Sequence, residues 1–249
     1  MRLGLIADIH GNLFALREVL RELDRLEVER VYSLGDLATP GPWPAEVMAL
    51  LIGRGIHSVM GNTDQWLLAS ADDVVSDSPR MNEIAHWAAA MLGDAWLGEI
   101  AALPMYRTIE LATGTVAALF HGSPASTEEV FSALTPSSEI SGALARIGAA
   151  VGVGGHTHVP MVRDLGSAVM VNPGSVGLGG IGPGTPDLPP PRPVSTACYA
   201  VMTVSDGSID TELRSIELDI PRMFAEAERT GMPHLDWWAS LWDAGGNDG

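Results

Sequence analysis

Residues 2–12 read Arg2-Leu3-Gly4-Leu5-Ile6-Ala7-Asp8-Ile9-His10-Gly11-Asn12: a short apolar run, then a carboxylate, an imidazole and a Gly-Asn turn. The apolar run is too short for a secretory leader, and an acidic residue follows at once, so residues 2–7 predict a strand. Leu13, Leu16, Leu20 and Leu23 then recur at helical spacing, which predicts a helix over 12–25 with Asn12 as its N-cap. The alternation continues with a strand over 30–34, a helix over 44–54 and a strand over 56–60. A β-α-β-α-β rhythm of this kind predicts parallel strands joined by crossover helices.

The pattern changes further along. Residues 65–103 read as helical, with one apolar stripe of Ile84, Trp87, Ala88, Met91 and Leu92 and a second of Trp96, Leu97, Ile100 and Leu103. This stretch is either an inserted cap or a pair of ordinary core helices. Strands are predicted over 105–111 and 115–120, a helix near 137–147, and strands near 150–154, 160–164 and 167–171. Residues 179–193 hold many glycines and prolines and predict a loop, either a mobile surface loop or a rim over a site. Strands near 197–204 and 208–216 follow, then a helical tail from about 221.

Five short motifs each follow a predicted strand. They are Asp8-Ile9-His10-Gly11-Asn12, Gly35-Asp36, Gly61-Asn62-Thr63-Asp64, His121-Gly122 and Gly154-Gly155-His156-Thr157-His158. In open α/β sheets, ligands bind beyond the carboxyl ends of parallel strands, so all five motifs are expected at one edge. Asp8 and His10 are two residues apart, as are His156 and His158, and in extended backbone such pairs share a face. The donor set is Asp8, His10, Asp36, Asn62, His121, His156 and His158. Seven donors exceed the need of one ion; a shared carboxylate gives each of two ions four protein ligands. Mixed imidazole and carboxylate ligation suits manganese, iron, zinc, cobalt or nickel. Singly, each residue has a plainer reading: Asp8 as a helix cap, His121 as a satisfied core histidine, Asn62 as a turn residue. The ordered set is what points to metal. His57, His86 and His234 fall outside the motifs and read as structural or exposed, and Cys198 reads as a core residue.

These five motifs, in this order, resemble those of the calcineurin-like metallophosphoesterase superfamily, and its small prokaryotic phosphodiesterase-like branch in particular. Val171-Asn172-Pro173-Gly174-Ser175-Val176-Gly177 resembles a further segment of that branch. The resemblance implies an α/β fold: a four-layer αββα sandwich of two mixed β-sheets flanked by helices. The expected domain is single, 1–249, with a helical insertion at about 65–103 and a C-terminal helical tail at about 221–243. The resemblance also implies that Asp36 bridges two divalent ions, manganese in the first instance. Asp8, His10 and His158 then complete one site, and Asn62, His121 and His156 the other. Asp36, Asn62 and His121 are the implied catalytic positions. Asn12, Thr63, Asp64 and Asn172 are expected beside the metals or against the substrate, with Gly174 and Ser175 adding backbone donors. The implied reaction is hydrolysis of phosphate esters by water activated between the two ions.

One departure stands out. Many relatives carry a histidine where this chain has Thr63, and a hydroxyl cannot act as a general acid near neutral pH. Asp64 is therefore expected to orient Thr63 or a metal-bound water, and good leaving groups should be favoured. Two other readings are carried: a nucleotide or dinucleotide hydrolase with 65–103 as a lid and Trp66, Trp87 or Trp96 stacking on a base, and a metal-free scaffold.

Composition narrows the partners. The chain has 14 arginines, no lysine and 31 acidic residues, for a net charge of −17. Without lysine there is no Walker-type phosphate loop and no Schiff-base chemistry. The acidic balance argues against non-specific nucleic-acid binding. The expected partner is a small phosphorylated substrate, with no membrane and with homo-oligomerisation open. A single cysteine permits no internal disulfide and fits a cytoplasmic location.

Overall fold

β1 (Arg2–Ile6) lies at the centre of the first of two five-stranded sheets, which explains its unbroken apolar run. Successive side chains point to opposite faces, and both faces are covered. Leu3 and Leu5 enter the cluster between the sheets, while Ile6 enters the cluster beneath the helices. The structure, a computed structural model, describes residues 1–70, 73–111, 114–178, 194–205 and 208–243. The loop expected over 179–193 lies outside the described residues.

α1 (Leu13–Arg25), β2 (Arg30–Ser33), α2 (Pro44–Gly53) and β3 (His57–Ser58) follow the expected rhythm, and β1, β2 and β3 are parallel. Asn12 caps α1 by accepting the Ala15 N–H at 3.0 Å. β3 is shorter than the expected 56–60 because the Met60 N–H leaves the ladder and donates to the Pro104 carbonyl at 2.9 Å.

α3 (Asn62–Trp66) and α4 (Pro79–Ala101) occupy most of the next segment. Gly93, at φ 63° and ψ 175°, breaks α4 into two limbs, a conformation essentially reserved for glycine. The two apolar stripes are therefore two limbs of one kinked helix. Ile84, Ala88 and Leu92 on the first and Ile100 on the second are buried in the main core, while Met91 is 47% exposed. Trp87 and Trp96 pack half-buried against the same core.

The second sheet holds β4 (Tyr106–Glu110), β5 (Val116–Phe120), β6 (Val151–Val153), β7 (Met161–Asp164) and β8 (Val169–Asn172), in the order β4-β5-β6-β8-β7. β5, β6 and β8 are parallel. α5 (Ser137–Arg146) covers its outer face through Ile140 and Leu144, against Phe120 and Met170. The chain then returns to the first sheet as β9 (Thr196–Ser205), antiparallel to β1, and β10 (Ser208–Glu217). The inter-sheet core contains Leu5, Leu34, Leu119, Val153 and Val171, so the layers run helix, sheet, sheet, helix as expected. No helix among the described residues is long and apolar enough to cross a membrane.

The expected tail forms two helices, α6 (Ile220–Ala227) and α7 (Leu235–Ala239). Trp238 is wholly buried, with its ring 6.3 Å from Trp43, 6.0 Å from Phe224 and 6.0 Å from Trp242. It pins α7 to the core beneath the first sheet. Trp238→Ala is expected to destabilise the fold by about 3–5 kcal/mol, the usual range for emptying such a site, as measured by denaturant unfolding.

Candidate metal centre

The loop after β1 continues the parallel ladder into the loop after β2. Asp8 N–H donates to the Gly35 carbonyl at 3.1 Å, His10 N–H to Asp36 at 2.8 Å and Gly11 N–H to Leu37 at 2.8 Å. In the second sheet, the Gly155 N–H donates to the His121 carbonyl at 2.8 Å. The segment after β8 then joins the two sheets, since Val176 and Gly177 donate to the Ala7 and Asp8 carbonyls at 3.0 and 2.9 Å. Five strand ends therefore deliver their side chains to one place.

The backbone achieves this differently from the extended geometry expected. Asp8, His10, Asp36, His156 and His158 have φ of 54°, 48°, 54°, 66° and 58°, in the left-handed region. Asp and His tolerate that region better than most residues, yet each such residue still stores on the order of 1 kcal/mol or more. The pairs converge because the chain curls at each donor.

Asp8 and Asp36 are buried, 0% and 2% exposed, and face the imidazoles. His158 Nε2 lies 3.2 Å from Asp8 Oδ1, and His10 Nε2 and His121 Nε2 each lie 3.9 Å from the same oxygen. Asp36 Oδ2 lies 3.4 Å from His121 Nε2 and 3.7 Å from His10 Nε2. Asn62 Oδ1 is 3.0 Å from His121 Nε2. His156 stacks edge-on to His121 with ring centres 5.1 Å apart, and its backbone N–H donates to both Asp8 oxygens. The structure thus brings all seven sequence-derived donors together.

Tautomers follow from the partners. His10 Nδ1 lies 2.7 Å from the Thr39 carbonyl, His121 Nδ1 2.7 Å from Leu34 and His158 Nδ1 3.0 Å from Leu178. A carbonyl only accepts, so each Nδ1 carries the proton and each neutral ring presents a bare Nε2 inward, as a metal-binding histidine does. His10 Nε2 and His158 Nε2 face each other at 3.0 Å, two acceptors with no donor between them unless a ring protonates. A cation resolves that conflict, so the donor set fits metal.

The ionisation states agree with a cluster short of positive charge. For Asp36, burial opposes ionisation, but His121 and His10 beside it hold the acid well below the usual range. For Asp8, burial likewise opposes, and His158 and His121 prevail to lower it. Burial works against a charged His121, yet Asp36 and Asp8 raise it to about 9. Burial and the adjacent His121 lower His156 to about 4.

The remaining expected contacts have other employment. Asp64 does not orient the Thr63 hydroxyl; its carboxylate accepts the N–H groups of Asp36, Leu37 and Gly61 at 2.9, 2.8 and 2.9 Å. Burial and the Asp36 charge push its acid up to about 7, against the pull of those donors. Thr63 N–H holds Asp36 Oδ1 at 2.9 Å and its hydroxyl donates to the Thr39 carbonyl at 3.0 Å. Gly61 has no room for a Cβ, which would collide with the Asp36 backbone and carboxylate. Asn12 caps α1 and reaches Gly177 and Met223, away from the cluster. Asn172 is fully buried and binds the Gly155 carbonyl at 2.6 Å and the Gly174 N–H at 2.8 Å, so it shapes the His156–His158 loop. Ser175, also buried, donates to the Asp8 carbonyl at 2.8 Å.

A cleft of about 360 Å³ opens on the cluster. Its lining combines His10, Asp36, Asn62, Thr63, His156 and His158 with the apolar Pro40, Trp66, Met81, Leu178, Trp237 and Leu241. Sequence reasoning placed none of the apolar lining here except Trp66.

Two stacked mixed sheets with an Asp and His cluster at the strand ends define the metallophosphoesterase class. Residues 1–207 match the calcineurin-like phosphoesterase superfamily domain, and the chain belongs to that superfamily. An uncharacterized protein of Methanocaldococcus jannaschii is 24% identical over 247 residues, covering 93% of each chain. A metallophosphoesterase from Sphaerobacter thermophilus shares the fold with a TM-score of 0.70 at 23% identity, over 97% of this chain and 100% of its own. A hypothetical protein from Pyrococcus horikoshii does so with a TM-score of 0.77 at 17% identity, over 98% of each chain. Membership implies divalent metal ions and hydrolysis of phosphoester bonds, and the Asp and His groups described above are candidate sites for those ions.

Asp64→Ala leaves three N–H groups unpaired, two of them on the Asp36 loop. The expected loss is about 3 kcal/mol or more, read from denaturant midpoints with and without added manganese.

Proposed function

We propose that this chain hydrolyses small phosphate esters, diesters or monoesters, at a pair of divalent ions. Asp8, His10 and His158 hold one ion, Asn62, His121 and His156 the other, and Asp36 is shared. Manganese is the first choice of metal, with iron, zinc, cobalt and nickel as alternatives. The observation that carries the reading is the inward set of bare Nε2 atoms, with His10 and His158 at 3.0 Å across two buried carboxylates. The choice of Asp36 as the shared carboxylate comes from the family pattern; its Oδ2 lies 3.7 and 3.4 Å from His10 and His121 Nε2, one histidine of each proposed site, while Asp8 Oδ1 lies 3.9 Å from both.

A pair of divalent ions supplies Lewis acidity, lowering the pKa of water and offsetting charge on the phosphoryl oxygens. The chain's own groups position that chemistry. Carbonyl bonds from Thr39, Leu34 and Leu178 fix the imidazole rings, and the Thr63 N–H fixes one Asp36 oxygen so that the other faces the cluster. No serine or cysteine lines the cleft among the described residues, the Thr63 hydroxyl is engaged, and Asp36 and the histidines are assigned to the ions, which supports water as the nucleophile. A water that has given up one proton to solvent forms the new oxygen–phosphorus bond as the ester phosphorus–oxygen bond breaks, and the alcohol oxygen departs as alkoxide with the bonding pair. With Thr63 at the family's histidine position, that alkoxide takes its proton from solvent. The partner is a small phosphorylated molecule, without non-specific nucleic-acid binding, in a cytoplasmic setting. Homo-oligomerisation belongs to the same reading.

The nucleotide reading keeps Trp66 on the cleft but loses Trp87 and Trp96, which pack against the core.

Two measurements test the proposal. Elemental analysis is expected to find close to two ions per chain, and Asp36→Asn to lower that content and cut kcat by about 100-fold or more. A variant with full activity and full metal would remove the bridging role. Aryl esters are expected to turn over roughly 100-fold faster than alkyl esters, the usual value of a missing general acid. Equal rates would locate an acid elsewhere.

A further inference from the structure

The cleft beside the donor cluster has two chemically different kinds of lining, one polar and one apolar. The apolar one is built from distant parts of the chain: Trp66 at the end of α3, Met81 at the start of α4, Trp237 in α7 and Leu241 just beyond it, with Pro40 and Leu178. Trp237 and Leu241 are half-buried, and α7 is held in place at three points. Trp238 anchors it in the core, the Arg80 guanidinium lies 5.2 Å from the Trp237 ring centre, and His234 Nε2 meets Glu83 at 2.8 Å. The wall is therefore a positioned surface, continuous with the residues that face the metals.

Charge and polarity restrict its occupant. The chain has no lysine, and no arginine lines the cleft among the described residues. The Arg80 guanidinium is engaged on the Trp237 ring and is not part of the described lining, so the lining itself offers further phosphates no cation. Apart from Asp36, Asn62 and Thr63, which belong to the donor cluster, no lining residue among those described offers an amide, hydroxyl or carboxylate to read the edge of a base. Discrimination by an apolar pocket comes from size and shape, and one methylene is worth about 10-fold or more.

Resting on the phosphoesterase reading, we propose that this wall is a subsite for an uncharged, apolar, ring-sized substituent. The substrate class is then an ester with a single phosphate and a hydrophobic group, and Trp237 and Leu241 determine specificity.

The test holds the leaving group constant. Manganese-loaded protein is assayed on methyl, phenyl and thymidine 5′ esters of 4-nitrophenyl phosphate. Calorimetry measures methylphosphonate and phenylphosphonate, which are not hydrolysed. The phenyl ester is expected to exceed the methyl ester in kcat/KM by about 10-fold or more, and to exceed the thymidine ester. Phenylphosphonate should likewise bind about 10-fold more tightly than methylphosphonate. Trp237→Ala and Leu241→Ala should each bring the phenyl-to-methyl ratio towards one; thermal melts identify a variant that is unfolded, and the ratio is then read from the other. A ratio near one in the parent protein, a ratio untouched by either folded variant, or a thymidine ester as good as the phenyl ester overturns the proposal. If every ester is inert, the phosphoesterase reading fails. The phosphonate ratios then decide the subsite alone: a phenyl preference lost in the variants sustains it, and no preference removes it.

Discussion

The interaction on which the rest depends is the confrontation of electron pairs at the strand ends. Two buried carboxylates and three bare imidazole nitrogens meet within 4 Å, with backbone carbonyls holding the rings in that attitude. Among the described residues the backbone N–H groups of His156 and Thr63 relieve it in part, and proton uptake relieves it further, as the raised His121 records. Cations relieve it better. The fold holds this unfavourable arrangement through strain as well as charge: five of the donors sit in left-handed backbone, at on the order of 1–3 kcal/mol each. Against a net stability of about 5–15 kcal/mol for a domain, that is a large sum. The surrounding hydrogen bonds must over-determine each donor.

That over-determination is distributed between sheets. Asp64 ties the loops after β2 and β3 to each other within the first sheet. The 172–178 segment, from the second sheet, binds Asp8 from behind and accepts His158 through the Leu178 carbonyl. The centre therefore forms only when the two sheets stack correctly, and the inter-sheet core of Leu5, Leu34, Leu119 and Val153 is what stacks them.

The layered fold was legible because periodicity reports burial. β1 reads as continuous because both its faces are covered, and α1 reads as amphipathic because one is not. The seven donors were legible as residue types following strands. The geometry that unites them was not, because a positive φ at Asp or His leaves no mark in a hydrophobic pattern. The ring anchors at Thr39, Leu34 and Leu178 were hidden for a related reason: a carbonyl belongs to every residue type. Asp64 had the right chemistry but an inward task that only tertiary contact reveals. Trp237 and Leu241 fall within the expected helical tail, yet their place on one cleft with His158 depends on a return of the chain that no local signal announces.

The superfamily match ends at residue 207, whereas α7 begins at Leu235. Part of the cleft lining is thus written in a different stretch of the chain from the Asp, His and Asn donors, so a substitution in the tail reshapes the cleft while leaving every donor in place.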